Sequence, residues 1–309
     1  MIMSSSRHPQ TLRRVVVMDG RGLHSNLPCR VTVRPVDHVT GIQFLHTPSG
    51  TLIPARAEFV SDLSLATTLT RNGIRLSTVE HLLAALAGLE IEHAIIEVDG
   101  MELPILDGSA APWVQALLEA GTRIIPGPRR LIRMLHPVEV HKDGKWMRIS
   151  PYPGLRLRYT IDFDHPAIGR QTRELTLTPE KFRRELGSAR TFCMDRDITL
   201  MHSQGLALGG SLDNAVVFSA EGPLNETLRF EDEAVRHKML DLVGDLAMLG
   251  APIEGLVEAH AAGHAMHIAL VQAILANPTA WTWHDADEKA APARHVFHHT
   301  LPEGHPLPA

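Results

Sequence analysis

The sequence is short of cysteine and of long apolar runs. Its two cysteines, Cys29 and Cys193, lie far apart and form no Cys-x-x-Cys pair, which excludes a zinc ribbon and a disulfide framework. No run approaches the roughly 18 apolar residues of a membrane span, and the N-terminal residues lack the apolar region of a signal peptide. We therefore expect a cytoplasmic protein with no membrane span.

Aromatic residues are also scarce, at 5%, and positive charge does not exceed negative charge. Lys and Arg number 30 against 35 Asp and Glu, a net charge of −5, so no basic field would attract nucleic acid as a partner. Hydrophobic and charged shares of 44% and 21% are typical of a globular protein. Histidine is abundant, with 19 residues, and imidazole both ligates metals and titrates near neutral pH.

The first half of the chain reads as short strands followed by helices. The predicted strands span residues 15–18, 29–34, 41–45, 65–69 and 94–98. A helix is predicted over 77–88, because Ser77 and Glu80 have the Ser-x-x-Glu spacing of a capping box and a glycine ends the run. A second helix is predicted over 112–120, ended by Gly121.

The same order recurs after Pro126-Gly127-Pro128, a segment that can neither continue a helix nor complete a strand ladder. Strands are predicted over 137–141, 145–150, 155–163, 172–177 and 256–261, and helices from Pro179 behind the cap Thr178, over about 231–249 and over about 264–275. This order predicts an α+β protein of two similar domains, 1–126 and 127–309, each a helix layer packed on a sheet.

The tail after Pro278 is rich in Pro, Ala and His, a composition that predicts loose packing. We place the end of the ordered part at about residue 284. Its histidines are expected to be solvated surface residues; they are His284, His295, His298, His299 and His305.

The predicted helix over 231–249 carries a polar strip. At about 100° per residue, His237, Asp241 and Asp245 fall within about 80° of one another, away from the apolar stripe. Such a strip could hold a metal ion. For an isolated His-x-x-x-Asp, however, the favoured interpretation is an i, i+4 pair on a solvated face.

Glu80 and His81 stand together at a predicted helix start. Glu80 could simply bond to the Ser77 backbone as part of the capping box. Alternatively, since neighbouring helical residues point about 100° apart, His81 could ligate a metal while Glu80 reaches its bound water. Ser77 at the first position excludes the His-x-x-x-His pattern of metallopeptidases, and the glycine-rich stretch 205–211 does not match a phosphate-binding loop.

Several motifs together give the sequence a resemblance to the UDP-3-O-acyl-N-acetylglucosamine deacetylase family, zinc amidases of lipid A biosynthesis. They occur in family order, at residues 22–24, 77–82, 106–112, 189–192, 208–211, 229–233, 236–241 and 263–265. The resemblance implies two α+β domains with the active site between their helix layers. It implies hydrolysis of the acetamide of a UDP-linked acylated N-acetylglucosamine to acetate and the free amine, the committed step of lipid A biosynthesis.

The same resemblance assigns roles to residues. It implies Zn²⁺ held by His81, His237 and Asp241, with Glu80 as general base. It further implies Thr191 as a donor to the oxyanion and His264 as the acid, oriented by Asp245. The residues implied in substrate binding are Lys238, Phe163 and Lys145 on the nucleotide and diphosphate side and Phe192 at the acyl-chain passage. His24 matches a motif without an assigned role.

Two departures from the family pattern bear on the substrate. Cys193-Met194-Asp195 follows Phe192 where relatives continue with apolar residues, and a carboxylate facing an acyl chain is costly to bury. Ala261 stands where relatives often carry a basic residue. The sequence therefore does not predict which acyl-chain length the protein prefers. We expect the protein to be a monomer.

Two other functions share some of these features. Two histidines and a carboxylate also form the facial triad of non-haem iron oxygenases, and a metal-stabilised module could bind lipid or sugar nucleotide without catalysis. Glu80 beside a ligand favours hydrolysis, because hydrolysis needs a base and oxygen activation does not.

Overall fold

The computed structural model describes residues 7–286, which form an α+β structure. Its helices are α1 (Glu80–Gly88), α2 (Ala111–Ala120), α3 (Pro179–Lys181), α4 (Asp195–Ser203), α5 (Glu233–Leu246) and α6 (His264–Ala276). Single 3₁₀ turns cover Ala57–Phe59 and Ala247–Leu249, and a π-helical turn, Phe182–Leu186, continues α3.

Strands make up most of the remaining regular structure. Ten precede Pro126 in this described part: β1 (Gln10–Leu12), β2 (Val16–Arg21), β3 (Pro28–Arg34), β4 (Ile42–His46), β5 (Thr51–Pro54), β6 (Val60–Asp62), β7 (Thr68–Arg71), β8 (Ile74–Leu76), β9 (Ala94–Val98) and β10 (Thr122–Ile124). Nine follow it up to Asp285: β11 (Arg130–Met134), β12 (Val138–Lys142), β13 (Lys145–Ser150), β14 (Leu155–Asp162), β15 (Arg170–Thr176), β16 (Phe192–Met194), β17 (Val216–Phe218), β18 (Ile253–His260) and β19 (Trp281–Asp285).

Each half of the chain builds its own main sheet. The first has the order β2-β3-β9-β4-β5, accompanied by a three-stranded sheet, β6-β7-β8, and the pair β1-β10. The second is centred on β18, which pairs with β11, β13 and β14; β12, β15 and β19 complete it. Among residues 7–286, every strand pair lies on one side of Pro126-Gly127-Pro128. We propose this segment as the boundary between two domains.

The strands show the alternation that the sequence predicts. Along β18 inward-facing residues are buried and the others are half-buried, and on β3 Cys29, Val31 and Val33 are buried. One face of each sheet thus packs on the core and the other meets solvent.

The helices of the two halves meet in the core. Helix α1 packs on α5, and α5 packs on α6. The contact between α1 and α5 is close at Gly244, where a Cβ atom would overlap the backbone carbonyl of Glu80. Only glycine permits this approach, which brings the polar strip of α5 against the start of α1.

The capping-box prediction at α1 is wrong. The helix begins at Glu80, and no side chain of residues 7–286 caps it. The Ser77 N–H instead donates to the Met101 carbonyl, and Thr78 adopts a left-handed φ of 58°. The backbone therefore turns sharply before the helix, and the Glu80 carboxylate is free to point elsewhere.

Two further differences concern segments without a clear periodic pattern. Helix α4 follows Phe192 where no helix was predicted. Residues 281–285, in the segment predicted to pack loosely, form β19 and pair antiparallel with β11, and His284 is buried rather than solvated. The tail histidines beyond it lie outside the described residues.

Candidate metal centre and active site

Three predicted ligands converge from two helices on opposite sides of the proposed domain boundary. His81 comes from the first turn of α1, and His237 and Asp241 come from successive turns of α5. All three side chains are buried, and their ligand atoms lie within 4.8 Å of one another. The structure thus covers the polar strip of α5 with α1 and α6, which contradicts the solvated-face interpretation of His237 and Asp241.

Short distances separate the atoms of this group. His237 Nε2 lies 3.2 Å and His81 Nε2 lies 3.7 Å from Asp241 Oδ1. Within residues 7–286, Asp241 Oδ1 is buried and has no hydrogen-bond partner. Because Nδ1 of His237 donates to the Ala189 carbonyl at 3.0 Å, Nε2 of the neutral ring presents a lone pair to this oxygen.

The electrostatics favour the protonation states that bind metals. Burial and the neighbouring His237 lower the pKa of His81 to about 3, and burial also lowers the pKa of His237. Burial would raise the pKa of Asp241, but His237 and Lys238 hold it well below its ordinary value. Two neutral imidazoles and one carboxylate can therefore hold a divalent cation.

The loop behind His237 is fixed by a buried ion pair. Arg190 donates through Nε to Glu233 Oε1 at 2.9 Å, and the backbone N–H of Arg190 donates to the same oxygen. Since Arg190 follows Ala189, this pair holds the carbonyl that orients the His237 ring. Metal-ligating histidines typically donate the N–H of their second ring nitrogen to a partner such as the Ala189 carbonyl.

Glu80 is buried beside His81, His237 and Asp241, which we call the ligand group. Its Oε2 accepts the Thr67 N–H at 3.1 Å, while Oε1 lies 3.9 Å from His264 Nε2. Burial raises its pKa to about 7, with His264 opposing this rise and Asp245 and Asp241 adding to it. A carboxyl group that titrates near neutral pH can accept or donate a proton under ordinary conditions.

His264, at the start of α6, forms a pair with Asp245. Nδ1 of His264 lies 2.7 Å from Asp245 Oδ2, and its Nε2 lies 3.9 Å from Asp241 Oδ2. Burial would lower the pKa of His264, but the charge and hydrogen bond of Asp245, with Asp241 and Glu80, raise it to about 9. His264 is therefore a cation near neutral pH, with one N–H directed toward Glu80 and the ligand group.

The other predicted residues lie at different distances from this centre. Lys238 donates from Nζ to Asp241 Oδ2 at 3.0 Å and lies 5.9 Å from the centre of the Phe192 ring. The rings of Phe192 and Phe163 meet edge to face at 5.5 Å. Thr191 follows Arg190, and its backbone bridges Gly108 and Val216. In residues 7–286, no hydrogen bond or ion pair joins exposed Lys145 to the ligand group.

The structure answers the question raised by Asp195. This residue begins α4 and is exposed, so its carboxylate meets water and is not buried in an apolar passage. The stretch 205–211 is anchored to the loop after β2, because Gly209 packs against the backbone of Gly22 and its N–H donates to the Leu23 carbonyl.

His24 lies in a loop held by Glu102. The backbone N–H groups of His24 and Ser25 donate to the Glu102 carboxylate at 2.7 and 2.8 Å. The Thr78 hydroxyl donates to the same carboxylate. Glu102 therefore connects this loop to the sharp turn before α1, and sequence spacing gave no sign of it.

The structure adds Thr67 and His267 to the site, two residues that the sequence patterns did not single out. Thr67 lies in a short strand-like run with no distinguishing spacing. His267 lies three residues after His264, so the i, i+3 spacing was a visible signal, but nothing in the sequence showed that both rings face Asp245.

Comparisons with known proteins identify the family of this chain. A family model described as UDP-3-O-acyl N-acetylglycosamine deacetylase matches residues 9–276. A UDP-3-O-acyl-N-acetylglucosamine deacetylase of Oleidesulfovibrio alaskensis is 46% identical over 267 residues, 85% of this chain and 88% of that protein. The enzyme of the same name from Pasteurella multocida is 45% identical over 288 residues, 91% of this chain and 94% of the relative.

A third relative extends the match to almost the whole sequence. The UDP-3-O-acyl-N-acetylglucosamine deacetylase of Haemophilus influenzae is 44% identical over 306 residues, 97% of each chain. Since the family match spans residues 9–276, it contains the three helices α1, α5 and α6, which carry residues 81, 237, 241 and 264, and the chain belongs to the UDP-3-O-acyl-N-acetylglucosamine deacetylase family.

Proposed function

We propose that the chain hydrolyses the acetamide of UDP-3-O-(hydroxyacyl)-N-acetylglucosamine, releasing acetate and the free amine, as a zinc-dependent enzyme of lipid A biosynthesis. This would be the committed step of that pathway, carried out in the cytoplasm. The observation that carries the proposal is the position of Glu80, a buried carboxyl group next to a group of metal-ligand type. The names of the relatives support the substrate.

The residues present fit zinc. Asp241 Oδ1 is a buried carboxylate oxygen that lacks a hydrogen bond among the described residues and faces imidazole nitrogens. Two histidines and a carboxylate are a common donor set for catalytic zinc, which keeps an open position for water or substrate. His81, His237 and Asp241 would hold the ion, which lowers the pKa of bound water and polarises a carbonyl group.

The remaining groups would transfer protons or donate hydrogen bonds during the reaction. Glu80, whose Oε1 is not used by the Thr67 N–H, would take the proton of the attacking water. His264, kept cationic by Asp245, would deliver a proton from Nε2 to the amine that leaves. The Thr191 hydroxyl would donate to the oxyanion. Glu80 Oε1 and His264 Nε2 are 3.9 Å apart. The proposed base and the proposed acid therefore face the same small region of the site.

Substrate contacts are proposed for four residues. Lys238 places a cation at the edge of the site, where it would meet the diphosphate, and Phe163 and Phe192 offer adjoining aromatic faces. Phe192 would line the acyl-chain passage. Lys145 at the start of β13 is assigned to the nucleotide side by the family motif alone.

The test combines metal analysis with an acetate-release assay on the UDP-linked acyl sugar. We expect about one zinc ion per chain and release of acetate without oxygen. Glu80→Gln should retain zinc while kcat falls by about 10²–10⁴-fold, the usual contribution of a general base. The matched exposed variant Glu221→Gln should behave as wild type.

Three results would contradict the proposal. Turnover that requires oxygen would favour the iron oxygenase. Wild-type turnover by Glu80→Gln would remove the base from the mechanism. Loss of zinc from His264→Ala would mean that His264 is a ligand and not the acid.

A further inference from the structure

The Asp245 carboxylate has a buried hydrogen-bond donor that the proposed mechanism does not use. Its Oδ2 lies 2.7 Å from His264 Nδ1 and also 2.8 Å from Nδ1 of His267, one turn further along α6. The two imidazole rings meet nearly at right angles, at 81°, with centroids 5.9 Å apart. Two rings of one helix therefore converge on a single oxygen.

Behind His267 lies the hydroxyl group of Tyr159. This residue is on β14, and its oxygen is 2.8 Å from His267 Nε2. Tyr159, His267 and Asp245 all have a relative exposure of 0%. Tyr159, His267, Asp245 and His264 thus form one continuous chain of hydrogen bonds that runs from the sheet to the site.

Burying such a chain of polar groups in a protein core carries a free-energy cost. A buried polar group without its partner costs about 1–3 kcal/mol, whereas Phe and Leu would fill the same space without that risk. Each group in this chain is satisfied: Asp245 Oδ1 accepts from Thr67, Oδ2 accepts from the two histidines, and His267 uses both ring nitrogens. A fully satisfied buried network fixes one arrangement of its members.

The direction of the protons follows from the environment of each group. Burial and the carboxylates of Asp241 and Asp245 raise the pKa of Tyr159 well above its ordinary value, so its O–H remains. Burial outweighs the attraction of Asp245 and lowers the pKa of His267. Although burial alone would raise the pKa of Asp245, the charge of His264 and the hydrogen bonds from both histidines lower it to about 2.

A neutral His267 beside an ionised Asp245 has one favourable tautomer. If Nδ1 carries the proton, it donates to Asp245, and Nε2 accepts from the Tyr159 hydroxyl. The opposite tautomer would place a lone pair against the carboxylate and an N–H against a hydroxyl that must turn away. The Tyr159 hydroxyl thus selects the tautomer that faces Asp245 with a donor.

We propose that Tyr159 and His267 are positioning residues for the acid: Tyr159 fixes the Nδ1–H tautomer of His267, and His267 holds Asp245 Oδ2 against Nδ1 of His264. Within residues 7–286, no hydrogen bond or ion pair joins either residue to His81, His237 or Asp241. The proposal rests on the proposed function in one respect, the role of His264 as acid; the hydrogen-bond chain itself is independent of the reaction.

The first test reads the tautomer directly, by ¹⁵N NMR of histidine-labelled protein at neutral pH, with the His267 signals assigned by their absence in His267→Asn. We expect a protonated Nδ1 and an unprotonated, hydrogen-bonded Nε2. Tyr159→Phe should shift the Nε2 resonance and admit the second tautomer. Protonation of Nε2, alone or together with Nδ1, in the wild type would overturn the proposal.

The second test separates positioning from volume by means of two amide substitutions. Asn at 267 places a donor near the Nδ1 position and preserves the bond to Asp245, whereas Gln places its amide near Nε2 and loses that bond. We expect His267→Gln to lower kcat about 10–100-fold, the usual effect of losing such a supporting partner, with KM and zinc content unchanged. His267→Asn should retain most of kcat.

Equal losses of kcat in the two variants, or a loss expressed in KM alone, would contradict a positioning role. If His267→Gln does not fold, the NMR comparison of wild type with Tyr159→Phe still decides the proposal. If the wild type releases no acetate, the proposed function fails, while the tautomer result separately decides the hydrogen-bond chain.

Discussion

The Thr67 hydroxyl donates to Asp245 Oδ1 at 2.7 Å, across the proposed boundary between the two halves of the chain. The backbone N–H of the same residue donates to Glu80, and its hydroxyl lies 3.3 Å from His264 Nδ1. Thr67 therefore contacts the base, the acid and the group that orients the acid.

Replacing this hydroxyl should cost both stability and activity. Thr67→Val leaves Asp245 Oδ1 buried without a donor, and we expect the free energy of unfolding to fall by about 1–3 kcal/mol and kcat to fall with it. Thr67→Ser keeps the hydroxyl and should remain close to wild type. Urea unfolding and acetate release check the pair; equal kcat values for Val and Ser would show that the hydroxyl does not orient Asp245.

Activity should depend on pH with two limbs. The base must be unprotonated, so kcat/KM falls as pH drops through the pKa of Glu80, which burial raises to about 7. The acid must be protonated, so kcat/KM falls as pH rises through the pKa of His264, which Asp245 raises against burial to about 9. A bound divalent cation would lower both values.

The variant His264→Gln isolates one limb of this profile. It should lose the basic limb, keep the acidic limb and show a lower plateau, as seen in a plot of log kcat/KM against pH. Persistence of the basic limb in this variant would assign it to another group.

Metal removal should destabilise the folded chain. Without an ion, Asp241 Oδ1 faces two imidazole nitrogens and has no hydrogen-bond donor among residues 7–286. A ligand present at 1,000 times its Kd stabilises the fold by about 4 kcal/mol. We expect chelation to lower the Tm of the wild type and added zinc to restore it. Glu80→Gln should show the same shift and His237→Ala should not; a full shift in His237→Ala would place the ion elsewhere.

Local spacing predicted which side chains of α5 lie together better than it predicted the surroundings of each side chain. The i, i+4 repeat of α5 correctly placed His237, Asp241 and Asp245 on one face, because a helix fixes that relation within one segment. It could not show that α1 and α6 cover the face, since that depends on Gly244 and on contacts between distant segments.

At the start of α1, by contrast, the local spacing gave a wrong prediction. Ser77 and Glu80 have the spacing of a capping box, yet the Ser77 N–H donates to Met101 and Glu102 holds the Thr78 hydroxyl. Long-range partners outcompeted a local bond of about 1 kcal/mol. That competition frees the Glu80 carboxylate to lie beside the ligand group, so the local rule fails at the residue on which the proposed chemistry depends.

The close contact of Gly244 with the start of α1 gives the last prediction. Gly244→Ala puts a Cβ atom into the Glu80 carbonyl, and backbone cannot move aside as a flexible side chain can. Overpacking of this kind costs about 1–3 kcal/mol, and separating α1 from α5 draws His81 away from His237 and Asp241. We therefore expect lower stability together with weaker zinc binding, measured by unfolding and by competition with a chelator.

The sign of the stability change makes this prediction decisive. In a helix, alanine is favoured over glycine by about 1 kcal/mol, so without the overlap the substitution would stabilise. Gly187→Ala is the matched control, because Gly187 ends the π-helical turn with helical dihedrals and its Cβ would meet only ordinary contacts of 3.4 Å. If both variants gain stability and keep zinc affinity, α1 does not need its close approach to α5 to assemble the metal centre.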